Sequence, residues 1–434
     1  MRLMILAASA ALSGVFMAAG AADFESPPDE SPAASLAPAQ VAGESFLVED
    51  PVHSDGLMHH YLLQTRFGVF AAYGRTALST RLREVAALTT IAKTSDADVV
   101  FKAVGRGIQE DAKSVVQVAR NPVGTVLGIP KGIGHLFGGV HARAEEVTQQ
   151  GKQTLHGSDS APAGSPGAAS RIASQTEHSA KRYADRYLGL SAAERRWYAK
   201  LGIDPYTNNE VLQKAVKRLA RIDAAAGLGM RFAPIGIPMA GEIRRALDTI
   251  YNEDPAVLRK RRHEALATYG LTPPEIEHFE NTLLLSPTRQ TLLVEAVKSL
   301  DGVEGRAEIL RHAASVTTEE EIEVFMQSTG ILVRYHARHP LARIVAGLRV
   351  PTAQLPDGRV VVFGSFDAVY WTQEVAAYEQ AVHTLLPDDA PGHEVWLDGA
   401  VSPLARARLG ELGWSVHHAD ELPVLPQPPE SHKT

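Results

Sequence analysis

The sequence predicts an α+β protein, predominantly helical, with an N-terminal β-hairpin plus helices, a central helical region and a small C-terminal α/β layer. Three observations predict it. Apolar residues make up 45% of the 434 positions and aromatics only 6%, a mix that suits Ala- and Leu-rich helices better than an aromatic-rich sandwich. Through the middle of the chain the apolar positions recur every three or four residues, the period of a helix with one buried face. Past Pro351 short β-branched runs alternate with helix-forming stretches, the order of a small α/β layer.

The elements follow in order. Arg2 precedes an apolar run over 3–19, and Ala19, Gly20, Ala21 and Ala22 lead to Asp23. A positive end, a short apolar core and small residues at the exit are the layout of a secretory signal peptide over 1–22, cut after Ala21 or Ala22. Retention as an anchor is the alternative, although the run sits near the lower length limit for a span. The expected location is therefore exported, in the periplasm or cell envelope. With no cysteine there is neither a lipid-anchor site nor a disulfide framework, so packing alone must stabilise the fold.

Residues 23–44, rich in Pro, Ser and Ala, read as a disordered tether. The N-terminal unit, 45–156, opens with two strands between Tyr61 and Tyr73 around Arg66. Leu78, Leu82, Val85, Leu88 and Ile91 then form one helical stripe, and a second helix over 96–119 stops at Asn121-Pro122 because the residue before proline avoids the helical region. A small, polar, turn-forming stretch makes 157–172 a flexible linker. The helical domain, 173–348, carries start signals at Ser191 with Glu194, at Asp204-Pro205, at Thr272 before Pro273-Pro274 and at Ser286-Pro287. Val294, Val297, Leu300, Ile309, Ile322, Phe325 and Leu332 supply its core. In the α/β domain, 349–421, Asp357-Gly358 marks a hairpin. A helix over 373–386, a strand over 394–397, a helix from Ser402-Pro403 to Gly413 and a strand over 414–417 follow it. Residues 422–434 read as a tail.

Function is less legible. A net charge of −7, with no dominant field of Lys and Arg, argues against broad nucleic-acid binding. No cofactor is expected. Two features stand out. In the apolar stretch 123–140, Gly124, Gly128 and Gly132, and again Gly134 and Gly138, recur every four residues, the spacing that lets helices approach closely in lipid. Pro130 breaks that helix, so the expected role is an interfacial or re-entrant contact, with Lys131 reaching toward headgroups, or a tight helix crossing. A second glycine-rich tract, 224–241, is broken by Pro234 and Pro238. The run from Gly128 to Gly134 lacks the Gly-Lys-Ser/Thr ending of a phosphate loop.

The other feature is 17 histidines, among which His336 and His339 lie three apart, a spacing that can present two imidazoles to Zn or Cu. No His-Glu-x-x-His string accompanies them. For catalysis no Gly-x-Ser-x-Gly occurs. The carboxylates worth weighing are Asp367 and Asp398, each at a strand end, where open α/β sheets bind ligands. They can share a divalent ion or divide acid and base roles, but turn and capping duty is the simpler explanation of both. The leading expectation is an exported binding or scaffolding protein whose glycine-rich segment meets a membrane surface or an envelope protein partner. The alternative is a periplasmic metal-assisted hydrolase using Asp367 and Asp398.

Overall fold

The structure, a computed structural model, describes residues 24–93, 179–226, 241–386 and 391–422. The expected leader, the glycine-rich segment 123–140, the linker 157–172 and the helix over 96–119 lie outside these residues, as does the tail from 423. Helices and sheets are both present, and the chain is an α+β protein.

Two short helices, α1 (Pro32–Ser35) and α2 (Pro38–Val41), precede an antiparallel sheet of β1 (Ala42–Gly43), β2 (Phe46–Val48), β3 (His53–Ser54), β4 (His59–Thr65) and β5 (Gly68–Tyr73). The β4–β5 hairpin turns at Arg66-Phe67, where the Thr65 hydroxyl donates to Gly68 O at 2.7 Å and accepts from Phe67 N at 3.0 Å. The described part of the expected tether packs against this sheet. Leu36 is buried with Val48, Val52, Tyr61 and Leu63, with Val41 packed against them, and Glu25 N donates to Trp371 O at 2.8 Å. Composition misleads at this point because two apolar side chains and one charged residue with fixed partners suffice to hold a segment down when a formed surface awaits it.

Helix α3 (Arg75–Ala92) uses its stripe twice. Leu78 and Leu82 lie on the N-terminal sheet, whereas Val85, Leu88 and Ile91 pack with Trp197, Leu201, Leu212, Val216 and Leu219 of α4 (Ala192–Leu201) and α5 (Glu210–Ala226). The N-terminal unit thus shares a core with helices from the far side of the expected linker. Ser191 caps α4 as its spacing predicts: its hydroxyl accepts from Glu194 N at 3.2 Å while Glu194 takes Ser191 N at 2.9 Å. Gly202, in the left-handed region at φ +66°, ends the helix, as only a residue without Cβ does cheaply.

The helices α6 (Gly241–Asn252), α7 (Pro255–Thr268), α8 (Pro273–Asn281), α9 (Pro287–Ser299), α10 (Glu308–Ser315) and α11 (Glu319–His336) follow. Thr272 and Ser286 stand at the N-caps of α8 and α9. Every core residue named for this region from the sequence is buried in one cluster.

That cluster does not stop at 348. It runs on through Val361, Phe363 and Trp396 of a second sheet. This sheet has the order β12-β10-β8-β7-β6, built from β6 (Arg343–Ile344), β7 (Thr352–Gln354), β8 (Val360–Gly364), β10 (His393–Leu397) and β12 (Trp414–His418). The Asp357-Gly358 turn, with Gly358 at φ +90°, joins antiparallel β7 and β8. Strands β8, β10 and β12 are parallel, with α12 (Gln373–Leu385) and α13 (Pro403–Glu411) as crossovers. Alternation divides the faces. Val361, Phe363 and Trp396 meet α11, whereas Val360, Val362, Val395 and Leu397 pack with Val375, Val382, Ala405 and Leu409 of the crossover helices. All five β8 residues are buried, which is why its sequence is an unbroken apolar run.

Candidate functional site

Ser365, Phe366 and Asp367 leave β8, and Asp398 leaves β10. The two strands are neighbours in register, Gly364 opposite Leu397, so the structure brings Asp367 and Asp398 to the same carboxyl edge of the sheet. Small residues make this convergence possible. A Cβ on Gly399 would lie 2.0 Å from Phe366 O and 2.5 Å from Asp367 O, distances no side chain tolerates. Beyond it, β9 (Ala368–Val369) and β11 (Ala400–Val401) form a short parallel pair.

Both carboxylates are occupied by the fold. Asp398 Oδ2 accepts from the Ser365 hydroxyl at 2.6 Å and Oδ1 from Phe366 N at 2.8 Å, while Ser365 N donates to Ser328 Oγ of α11 at 2.9 Å. Burial pushes the Asp398 carboxyl above its ordinary value and the Asp367 charge adds to this, against the hydrogen bonds from Ser365 and Phe366 and the Arg75 cation.

Asp367, 7% exposed, reaches across to the N-terminal unit. Its Oδ2 accepts from His59 N at 2.9 Å, and its Oδ1 from Arg75 N at 3.0 Å and Arg75 Nε at 3.3 Å. Arg75 is the first residue of α3, whose N-cap is Gly74 at φ +86°, with no side chain to offer. The cap is therefore supplied from another part of the chain, and a negative charge at a helix amino end is favoured by the helix dipole as well. The His59 ring is buried beside this carboxylate, with Nδ1 3.2 Å from the Tyr61 hydroxyl and 3.7 Å from Asp367 Oδ2.

His336 and His339 are placed differently. His336 is the last residue of α11, and its Nδ1 accepts from Leu341 N at 3.1 Å, so that nitrogen is taken. Burial lowers its pKa. His339 lies past the helix end with its ring 4.8 Å from that of Tyr335. Among the described residues no group of three or more His, Asp or Glu is arranged to hold a metal ion, and no helix is long and apolar enough to cross a membrane. Gly124, Gly128, Lys131, Gly132, Gly134 and Gly138 lie outside the described residues.

Sequence reasoning missed Arg75, His59 and Ser365 as partners of the two aspartates. One signal was present: a helix that begins after glycine, without Ser, Thr, Asp or Asn at its N-cap, must find its acceptor elsewhere. No protein-family model, no curated protein and no solved structure matches the chain.

Proposed function

We infer that the protein is an exported envelope protein that binds or scaffolds, with contact to a membrane surface or a partner helix through segment 123–140. The observation that carries this reading is the commitment of Asp367 and Asp398. Among the described residues, the place with the layout of a reaction site spends Asp367 on holding the N-terminal sheet and α3 against the C-terminal layer and Asp398 on tying the ends of β8 and β10 together, which is what a scaffold needs and a general acid-base pair does not. Support for the address comes from the leader-like residues 1–22, and support for the contact comes from the four-residue glycine spacing beside Lys131.

Flotation of the purified chain with anionic liposomes tests the contact. Binding weakened by Lys131→Ala is expected; protein that stays at the bottom of the gradient with or without that change overturns it. Intact mass of native material tests export, and Met1 retained in a soluble cytosolic fraction would sink it.

One observation favours a second reading, a periplasmic metal-assisted hydrolase. The two carboxylates do share the carboxyl edge of neighbouring parallel strands, with Asp398 held above the ordinary range. Metal analysis of purified protein decides: no bound metal, and a melting temperature unmoved by Zn, Mn or Cu, removes it.

A further inference from the structure

The carboxyl edge of the sheet holds a third carboxylate. Residues 24–30 cross this edge as a strap attached at its two ends. At one end Glu25 N donates to Trp371 O at 2.8 Å, and Glu25 Oε2 accepts from Trp371 N at 2.6 Å and from the Ser402 hydroxyl at 2.5 Å. At the other, Glu30 pairs with Val52 through both backbone groups and accepts from the Tyr370 hydroxyl at 3.2 Å. Between these points Asp29 pairs with His53 Nδ1 at 2.7 Å on the exposed side, and before them Phe24 is 45% exposed.

The place where Glu25 lands is chemically specific. Trp371 immediately precedes Thr372, the N-cap of α12, and Ser402 is the N-cap of α13, its oxygen also accepting from Ala405 N at 3.0 Å. The Glu25 carboxylate therefore sits between the amino ends of two helices that both start at the carboxyl edge of a parallel sheet. There the helix dipoles favour an anion, and there α/β sheets take their ligands. Two helix ends would not by themselves make a site. Here an anionic group is seated between them, buried Trp371 donates its amide to it, and it arrives on a strap whose other bonds, at Asp29 and Glu30, lie on the N-terminal unit and on Tyr370.

We propose that Trp371 N, Ser402 Oγ and the amino ends of α12 and α13 form a carboxylate-binding subsite, filled in the resting fold by the chain's own Glu25, and that a ligand bearing a carboxylate binds there by displacing the strap. The tethered Glu25 competes at the effective concentration set by its short connection, so a free carboxylate gains access when the strap is released or its charge removed. No residue of this subsite belongs to segment 123–140, so failure of the liposome experiment leaves it standing.

Chemical rescue tests it in the full chain. Glu25→Ala is expected to melt at lower temperature than wild type, and acetate is expected to recover at least half of that loss with a saturable dependence. Sodium chloride at equal ionic strength should not, and wild type should not respond over the same range. Adding Ser402→Ala to Glu25→Ala should abolish the saturable response. Equal recovery with chloride, or no recovery with acetate, overturns the proposal. Should Glu25→Ala not fold, hydrogen exchange of wild type decides instead. High acetate should speed exchange within 24–30 while the Trp371 amide stays protected, and exchange unchanged throughout 24–30 counts equally against the subsite.

Discussion

Asp367 caps the helix that begins at Arg75, 292 positions earlier in the chain, through Arg75 N at 3.0 Å. The same carboxylate takes His59 N at 2.9 Å, so one side chain fixes the start of β4 and the start of α3 against the sheet edge. Removing it leaves two backbone amides of the N-terminal unit without acceptors.

Asp367→Ala is therefore expected to destabilise the fold by about 2–4 kcal/mol, the loss of a helix cap together with a buried amide left unpaired. Asp367→Asn keeps an acceptor oxygen, though not the charge that favours the amino end of α3, and should lose roughly half as much. Urea unfolding at neutral pH measures both. Equal losses for Ala and Asn would mean that charge, not hydrogen bonding, is what Asp367 contributes.

Glycine positions separate close approach from mere absence of a side chain. Gly399→Ala forces a Cβ into Phe366 O and Asp367 O, both backbone atoms, and should cost about 1–3 kcal/mol or more while disturbing the Asp398 hydrogen bonds. Gly330, within α11, has nothing within 4 Å of a built Cβ, so Gly330→Ala should stabilise by about 0.5–1 kcal/mol through helix propensity alone. Melting temperatures of the two variants should move in opposite directions.

How much of this was legible follows the range of the interactions. The α3 stripe from Leu78 to Ile91, the Ser191 cap and the Asp357-Gly358 turn depend on residues within a few positions of each other, and the sequence displays them. The placement of Asp367 and Asp398 at strand ends was legible for the same reason, since strand and helix periods fix where each element stops. Their partners were not. Arg75 and His59 meet Asp367 only after the N-terminal sheet docks on the C-terminal layer, a step that no local pattern encodes. The docking of Glu25 on Trp371 and Ser402 belongs to the same class, which is why a segment with the composition of a tether is held in the fold.

Asp398 should make stability depend on pH. Its carboxyl is raised in the fold by burial, so the folded state holds that proton more tightly than the unfolded chain does. The resulting stabilisation is complete below the unfolded value of about 4 and is lost as pH rises through the folded value. Asp398→Asn cannot titrate, yet its amide can still accept from Phe366 N. Relative to wild type, the Asn variant should gain stability as pH climbs out of the acid range. Parallel pH profiles for the two proteins would exclude the effect.

His336 should act with the opposite sign. Its Nδ1 must be unprotonated to accept from Leu341 N, and burial lowers its pKa below the usual 6.5. The unfolded chain therefore takes up the proton first. The stabilisation from the neutral ring is complete above about pH 6.5 and declines as pH falls from there toward the folded value. His336→Ala removes both the acceptor and the titration. It should be less stable by about 1–3 kcal/mol near pH 7.5, where the Leu341 amide loses its partner, with the gap narrowing toward pH 5. Denaturant unfolding at the two pH values measures the gap, and NMR titration of the His336 ring should place its midpoint below 6.5. A midpoint at or above that value would show that the hydrogen bond to Leu341 does not control the ring.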